Sequence, residues 1–371
     1  MKTNLKYITY QSFPSAKANT IQTVDNVNYL SKYFQVELIF PLREKESSDN
    51  IDDFINFYDI KDNVKVRGVD HKYPFGKIKY FEKLFFLISH FLWAKNYVKN
   101  IDDSINDNFF TRSDWIFYFL SQKNKNVTFE CHQLSKIRKF VMKQSINKSN
   151  SKIIFLNDLL MEDSKLNLIK HKNKLTVLHN GVDENLFAEN IKKDKNKVIF
   201  IGNLKRFNKS RNLEFFISAF RKSNMPNNLT FTIIGHPQEE IEKLKKFVKK
   251  NKLEKKIKLI NRLERRSAIA EIQKANIGLL INTDSNLHST HYTSPLKYFE
   301  YLYAGLKIVA ANFPSHHALP FSENVIFYEI NDDNSFINGL MKASKSQNLK
   351  VNNIEQITLK NRAKKIFEFI N

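Results

Sequence analysis

The chain has 371 residues, of which 42% are hydrophobic, enough for two domains of ordinary size and too apolar for wholesale disorder. Its 60 Lys and Arg against 38 Asp and Glu give a net charge of +22. That excess reads either as an anionic partner (nucleic acid, a membrane surface, phosphorylated substrates) or as the bias of an AT-rich genome towards Lys, Asn and Ile. Cys131 is the only cysteine, which excludes a disulfide framework and a CxxC metal site and fits a reducing cytoplasm. MKTNLKYITYQ holds no apolar signal core, so secretion is not expected. No apolar run reaches the ~18 residues of a membrane-spanning helix.

Residues 5–10 predict a first strand, followed by the polar loop QSFPSAKANTIQT, a helix near 19–33 and a second strand over 35–40. This is the periodicity of an α/β unit. The first loop holds no glycine, which weighs against a dinucleotide fingerprint and hydride transfer. Residues 44–62 are acidic and polar and read as a surface segment, and 64–67 as a weak strand. HKYPFGKIKYFEKLFFLISHFLWAKNYVKN then sets Lys72, Lys77, Lys79, Lys83, Lys95 and Lys99 among Phe81, Leu84, Leu87, Ile88 and Trp93. Such a helix lies in a membrane interface, or in a core with lysines at its ends.

Strands are predicted over 108–112, 127–131, 153–156 and 176–179, with a helix over 115–120. His132 stands at the carboxyl end of a strand, where open α/β sheets place ligands, and is as readily structural as catalytic. NIKKDKNK, 190–197, has linker composition. A second α/β unit starts with a strand over 198–202 ending in Gly202 and the basic loop NLKRFNKSRNLEFFISAF. Strands over 230–235, 259–263 and 277–282 follow, and the lysine-rich stretch between the first two reads as a solvated helix. In YTSPLKYFEYLYAGLKIVAANFP, Thr293 or Ser294 can cap a helix and Pro295 suits its first turn. Gly305 ends that helix in a left-handed conformation, and 308–311 is a strand buried on both faces. The exposed N–H groups of the helix start make an anion site. Glu300 lies nearly two turns inside, where an acid does little for the helix end. The last strand is 324–328, and ITLKNRAKKIFEFIN is an amphipathic helix. His288, His291, His316 and His317 sit in polar loops with few carboxylates, so no metal site is expected. There is no nucleophile elbow and no phosphate loop.

SPLKYFEYLYAGLKIVAA closely resembles the nucleotide-sugar site of glycosyltransferase family 4 (glycosyl transferases group 1), which has the GT-B fold. The resemblance implies two doubly wound, Rossmann-like α/β domains facing a cleft. It divides the chain into an acceptor-side domain, 1–190, and a donor domain, 191–354, with a closing helix, 355–371, that returns to the first. In this family the position of Glu300 binds the ribose hydroxyls, and Ser294, Pro295 and Leu296 face the diphosphate. Tyr292 holds the place of a second family Glu, so Tyr292 and Thr293 stand on the donor-sugar side. The turn after Gly202 resembles the first turn of the donor domain. Lys209 matches its diphosphate lysine, and Asn203 stands where Arg is frequent, with Lys205, Arg206 or Arg211 as substitutes. Arg262 falls in the loop that seats the base. SFPSxxANxxQ is similar to the family's first loop, which puts Ser12, Ser15 and Asn19 on the acceptor side. FTRS and FECHQL resemble its paired cleft segments, which makes His132, with Lys209, a catalytic candidate. HNGVDENLF resembles its NGVD hallmark.

The resemblance implies transfer of a sugar from a nucleotide-diphosphate sugar to a glycan or lipid-linked acceptor. Retention, no metal and no cofactor are expected, in bacterial surface polysaccharide synthesis. The expected place is the cytoplasm, peripheral to the inner face of the membrane, with an anionic membrane surface as a further partner. A nucleotide-sugar epimerase of the same fold is the rival enzyme. A nucleic-acid-binding protein is suggested by charge alone, without a basic-aromatic motif, so nucleic acid is not an expected partner.

Overall fold

The computed structural model describes the chain apart from residues 1, 62, 74–80, 103–106, 207–208 and 348–350, and apart from the side chains of Arg206 and Lys209. It divides into two compact units, residues 1–178 with 359–371, and residues 179–358.

Unit 1 alternates strands and helices: β1 (Asn4–Ile8), α1 (Ala18–Leu30), β2 (Gln35–Leu42), α2 (Ile51–Tyr58), β3 (Lys65–Asp70), α3 (Glu82–Lys99), β4 (Asn108–Thr111), α4 (Asp114–Gln122), β5 (Asn126–Cys131), α5 (Lys136–Ile146), β6 (Ser151–Phe155), α6 (Asp158–Asp163) and β7 (Leu175–Val177). The strands form one parallel sheet in the order β3-β2-β1-β4-β5-β6-β7. The apolar runs predicted as strands are buried because helices cover both faces of such a sheet. The acidic 44–62 segment is more than surface, since it contains α2. Asn50 caps that helix through Asp52 N–H at 3.0 Å, Asp52 and Asp53 suit its positive end, and Phe54 is fully buried.

Unit 2 runs β8 (Lys197–Asn203), β9 (Lys205–Arg206), β10 (Lys209–Ser210), α7 (Leu213–Ala219), β11 (Thr230–His236), α8 (Gln238–Lys250), β12 (Ile257–Asn261), α9 (Arg265–Gln273), β13 (Ile277–Leu280), α10 (Leu287–His291), α11 (Leu296–Tyr303), β14 (Lys307–Ala311), α12 (Pro314–His317), β15 (Val325–Tyr328) and α13 (Asp333–Lys345). Its parallel sheet has the order β12-β11-β8-β13-β14-β15, and β9 and β10 pair as a short antiparallel ribbon. Residues 180–190, grouped on sequence with the first domain, bond into unit 2: Val182 N–H donates to Ile357 O at 2.9 Å and Ala188 N–H to Gln273 Oε1 at 3.1 Å. The last helix, α14 (Leu359–Ile370), packs on α1 in unit 1, with Phe367 ring centroids 5.2 Å from Tyr33 and 5.3 Å from Phe34.

In each sheet the strand order reverses once, at β1/β4 and at β8/β13, and a crevice outside the carboxyl ends of the strands opens there. In unit 2 the two strands soon diverge: β8 and β13 pair only at Val198/Ile277 and Ile199/Gly278. The Tyr301 hydroxyl of α11 accepts from Ile201 N–H at 3.1 Å. Its ring lies so close to Gly278 that a Cβ there would stand 2.4 Å from Tyr301 Cδ2. Gly278 is therefore what lets α11 lie down on the sheet.

Gly278→Ala should destabilise unit 2 by about 1–3 kcal/mol, the usual range for overpacking a filled core. The check is a lower urea midpoint at unchanged m value, and an unshifted midpoint would mean that the Tyr301 ring has room to move.

Candidate active site

The carboxyl edge of the unit 2 sheet gathers most of the donor-side residues named from sequence. Gly202 and Asn203 end β8, and Asn203 Oδ1 accepts from Lys205 N–H at 3.1 Å. Gly202 lies beside Gly235 of β11, where a Cβ on Gly235 would stand 2.4 Å from Gly202 O. The basic turn that follows is the β9–β10 ribbon. Lys205 pairs with Glu240 at 2.9 Å. Arg211 donates Nη1–H to Ile281 O and to Asn282 Oδ1, the latter at 3.2 Å, which ties the turn to the end of β13. The backbones of Arg206 and Lys209 pair across the ribbon, and their side chains lie outside the described residues. Arg262 is exposed just past β12, at the sheet edge, and together with burial it lowers the pKa of His236 at the end of β11.

The start of α11 departs from expectation. Pro295 occupies the N-cap, and no side chain caps the helix. Thr293 turns its hydroxyl to Ser315 Oγ at 3.2 Å and Ser289 O at 3.4 Å. Ser294 is taken by Asn180, whose N–H donates to Ser294 Oγ at 3.1 Å and whose Nδ2 donates to Ser294 O at 2.5 Å. With no side-chain cap, Tyr298 N–H turns back to Pro295 O at 3.0 Å, and the N–H groups of Leu296 and Lys297 have no intrahelical acceptor. Gly305, at φ 67°, closes the other end as expected: its N–H donates to Leu302 O and Leu306 N–H to Tyr301 O, both at 2.9 Å. Glu300 is buried, 7% exposed. Lys297 Nζ donates to its Oε2 at 2.6 Å, and no partner for its other oxygen occurs among the described residues. Tyr292 is buried at the end of α10.

Three of the four histidines of this region are engaged separately from one another. His316 is fully buried, donating Nδ1–H to Ala311 O at 2.7 Å and accepting at Nε2 from Asn282 at 3.3 Å. His317 stacks on Phe327 with centroids 3.9 Å apart, and His291 bonds to Thr290 at 2.7 Å. No group of three His, Cys, Asp or Glu side chains fit to hold a metal ion occurs among the described residues.

Unit 1 has its own polar centre at the same edge. Glu130 of β5 is 1% exposed and is held by Arg362 of α14, by His132 Nε2 at 2.7 Å and by Arg112 Nε at 3.7 Å. Burial alone would raise its pKa, but Arg362, His132 and Arg112 together hold it well below the ordinary carboxylate range. Arg112 Nη2 donates to His132 Nδ1 at 2.9 Å. An arginine only donates and a carboxylate only accepts, so His132 carries its proton on Nε2 and spends both nitrogens inside the protein. As it stands, the imidazole has no lone pair for a hydroxyl proton, and its geometry is that of a group positioning Arg112. Ser12 Oγ accepts from Arg43 Nε at 2.7 Å, and Ser15 O accepts from Tyr58 at 2.7 Å. Asn19 is exposed and offers its carbonyl to Arg112 at 3.3 Å.

Residues 182–360 match the family model described as glycosyl transferases group 1. They form a group 1 glycosyltransferase domain. No curated protein matches the chain at a significant level. Among solved structures, a sucrose-phosphate synthase from Thermosynechococcus elongatus is similar at 14% identity and TM-score 0.66, covering 100% of this chain and 95% of its own. WaaG, a glycosyltransferase involved in lipopolysaccharide biosynthesis, is similar at 10% identity and TM-score 0.58, covering 99% and 95%. A mutant of TarM from S. aureus, in complex with fondaparinux, alpha-GlcNAc-glycerol and UDP, is similar at 11% identity and TM-score 0.63, covering 100% of both chains. The fold is therefore GT-B, and the match to glycosyl transferases group 1 spans just under half of the chain.

Sequence reasoning missed two residues of unit 2, Asn180 and Asn282. Asn180 was visible only as part of NGVD. Asn282 follows β13 at the strand-order reversal and joins Arg211, His316 and Thr293, the last at 3.4 Å. Its signal was a polar residue directly after an apolar strand.

Burial first, and then Arg112, pushes the His132 pKa down to about 4 from its ordinary 6.5, and burial does the same to His90. Between these values the unfolded chain binds protons that folded unit 1 refuses. The stabilisation is complete above pH 6.5 and is lost as pH falls towards 4, by at most about 1.4 kcal/mol per pH unit for each histidine. His132→Gln should remove about half of that slope in denaturant titrations run across this range. A variant with the parent's slope would take His132 out of the linkage.

Proposed function

We propose that the chain transfers a sugar from a nucleotide-diphosphate sugar to a glycan or lipid-linked acceptor. Unit 2 holds the donor and unit 1 the acceptor. Transfer proceeds with retention and without a metal, in synthesis of a bacterial surface polysaccharide at the inner face of the cytoplasmic membrane. The observation that carries this reading is α11: an uncapped helix start beside the strand-order reversal, with a buried acid less than two turns inside it. The bond from the sugar C1 to the diphosphate oxygen breaks, the acceptor oxygen takes its place on C1, and the acceptor's hydroxyl proton leaves with the diphosphate. The leaving diphosphate gains charge, which the α11 N–H groups and Lys209 neutralise. Lys205 and Arg211 already hold protein partners, which supports Lys209 in this role. Glu300 receives the ribose hydroxyls on the oxygen that Lys297 leaves open. The UDP and glycan in the TarM complex and the pathway of WaaG support the donor and acceptor classes. A thermal-shift panel of nucleotides and nucleotide sugars tests the donor, since ligands stabilise by mass action. No shift with any of them would sink the reading.

Lys209→Ala should lower turnover about 10²-fold with the fold intact, as loss of one charge-stabilising donor does in comparable sites. Unchanged turnover would pass the role to Arg206.

Glu300→Gln should weaken nucleotide binding about tenfold, because hydrogen bonds to a charged group are worth ~1.5–3 kcal/mol. Stability should barely move, since an i,i+3 ion pair is worth only ~0.2–0.5 kcal/mol. Calorimetry showing parent affinity in this variant would reduce Glu300 to a partner of Lys297.

A further inference from the structure

No helix among the described residues is long and apolar enough to cross a membrane. Yet α3 is apolar on two sides. Its inward side, Phe86, Ser89, His90, Trp93 and Tyr97, lies against unit 1. Its outward side leaves Phe81, Leu84, Leu87, Ile88 and Leu92 between 36% and 59% exposed. Ile137 and Phe140 in the first turns of α5 are exposed as well. These two places hold seven of the eleven large hydrophobic side chains exposed among the described residues, so they form a patch and not scatter. The helices are joined by α4, which packs against both, and Phe91 of α3 meets Trp115 of α4 edge-on at 4.8 Å.

Charge selects the occupant. The three helices carry six lysines and Arg138 against Glu82 and Asp114, and Asp114 is buried beside Arg138 at 3.4 Å. A second copy seated on this face would set lysine against lysine with Glu82 alone to pair. An anionic lipid surface accepts both features, apolar side chains into the acyl boundary and lysines onto the headgroups. Position agrees. Apart from Leu92, the exposed groups lie at the start or in the N-terminal halves of α3 and α5, which follow the carboxyl ends of β3 and β5. On the inward side, His90 stacks on Tyr10 at 4.2 Å, just beyond β1 at the strand-order reversal. The outward face is thus about one helix diameter, roughly 10–12 Å, from the crevice of unit 1.

We propose that unit 1 docks through the N-terminal halves of α3 and α5 on an anionic bilayer, so that the carboxyl edge of its sheet opens at the headgroup plane. An acceptor can then enter while still anchored in lipid. The inference rests on the lipid-linked reading of the acceptor given above.

The test is sedimentation of the full chain with phosphatidylcholine vesicles, with and without about one-third phosphatidylglycerol, at low salt. The parent should pellet with the anionic vesicles only. Leu84→Gln with Ile88→Asn should weaken that binding about tenfold or more, and so should Lys136→Glu with Lys139→Glu, whereas Ile169→Asn, exposed by the C-terminal end of α5, should leave it unchanged. A parent that stays in the supernatant, or apolar variants that pellet like the parent, overturn the proposal. So does a parent dimer that the same substitutions dissociate, since a second copy would then own the face. Calorimetry with UDP, GDP and ADP on the same proteins separates the two readings. A parent that pellets but binds no nucleotide keeps the docking face and loses the transferase.

Discussion

A buried backbone polar group must find a partner, and a doubly wound sheet strains that requirement where its strand order reverses. There two neighbouring strands send their chains in opposite directions, and side chains must finish the ladder. In unit 1, Thr111 Oγ1 donates to Ile8 O at 2.7 Å. In unit 2, Tyr301 closes on Ile201 N–H and Arg211 on Ile281 O. The second pair does more than fill valences. Tyr301 belongs to α11 and Arg211 to the turn after Gly202, so one gap in the sheet fixes both walls of the proposed donor site. Asn282 then links the basic turn to the loop before α11.

Much of this was legible in the sequence, for a physical reason. Strands covered on both faces read as short apolar runs, so the parallel strands of both units lay close to where they were expected. Gly305 was legible because the left-handed conformation it takes is one that other residues resist. The helix start was misread because the hydroxyl of Ser294 has a better offer from Asn180, 114 residues earlier in the chain, and local capping rules know nothing of it. Helix α2 was hidden by acidity: its acids serve the helix end while one phenylalanine enters the core. Glu300 was singled out from its place in the motif, and its pairing with Lys297 follows from the three-residue spacing, but its burial is not written there.

The positive charge divides into two kinds. Some of it is structural. Arg362 and Arg112 answer the buried Glu130, and Lys297 answers Glu300. Removing a partner of the fully buried Glu130 costs about 3–5 kcal/mol, because the remaining charge is stranded, whereas the i,i+3 pair of Glu300 with the partly exposed Lys297 is worth far less. The rest stands on helix surfaces, as along α8, where Lys243 and Lys245 pair with Glu240 and Glu242 and most of the other lysines face solvent. Net charge alone does not tell the two kinds apart.

The return of α14 to unit 1 sets an order of events during synthesis. Residues 179–358, 180 in number, are translated between the body of unit 1 and its last helix. At about 5–20 residues per second, the body waits on the order of 10–40 s for Arg362. Throughout that interval Glu130 lacks its closest counter-charge, and the side of α1 that Ala363 and Ile366 cover stays open to water. Unit 2 carries no such debt to later sequence. The part of the protein made second is therefore free to fold first, and the part made first is completed last.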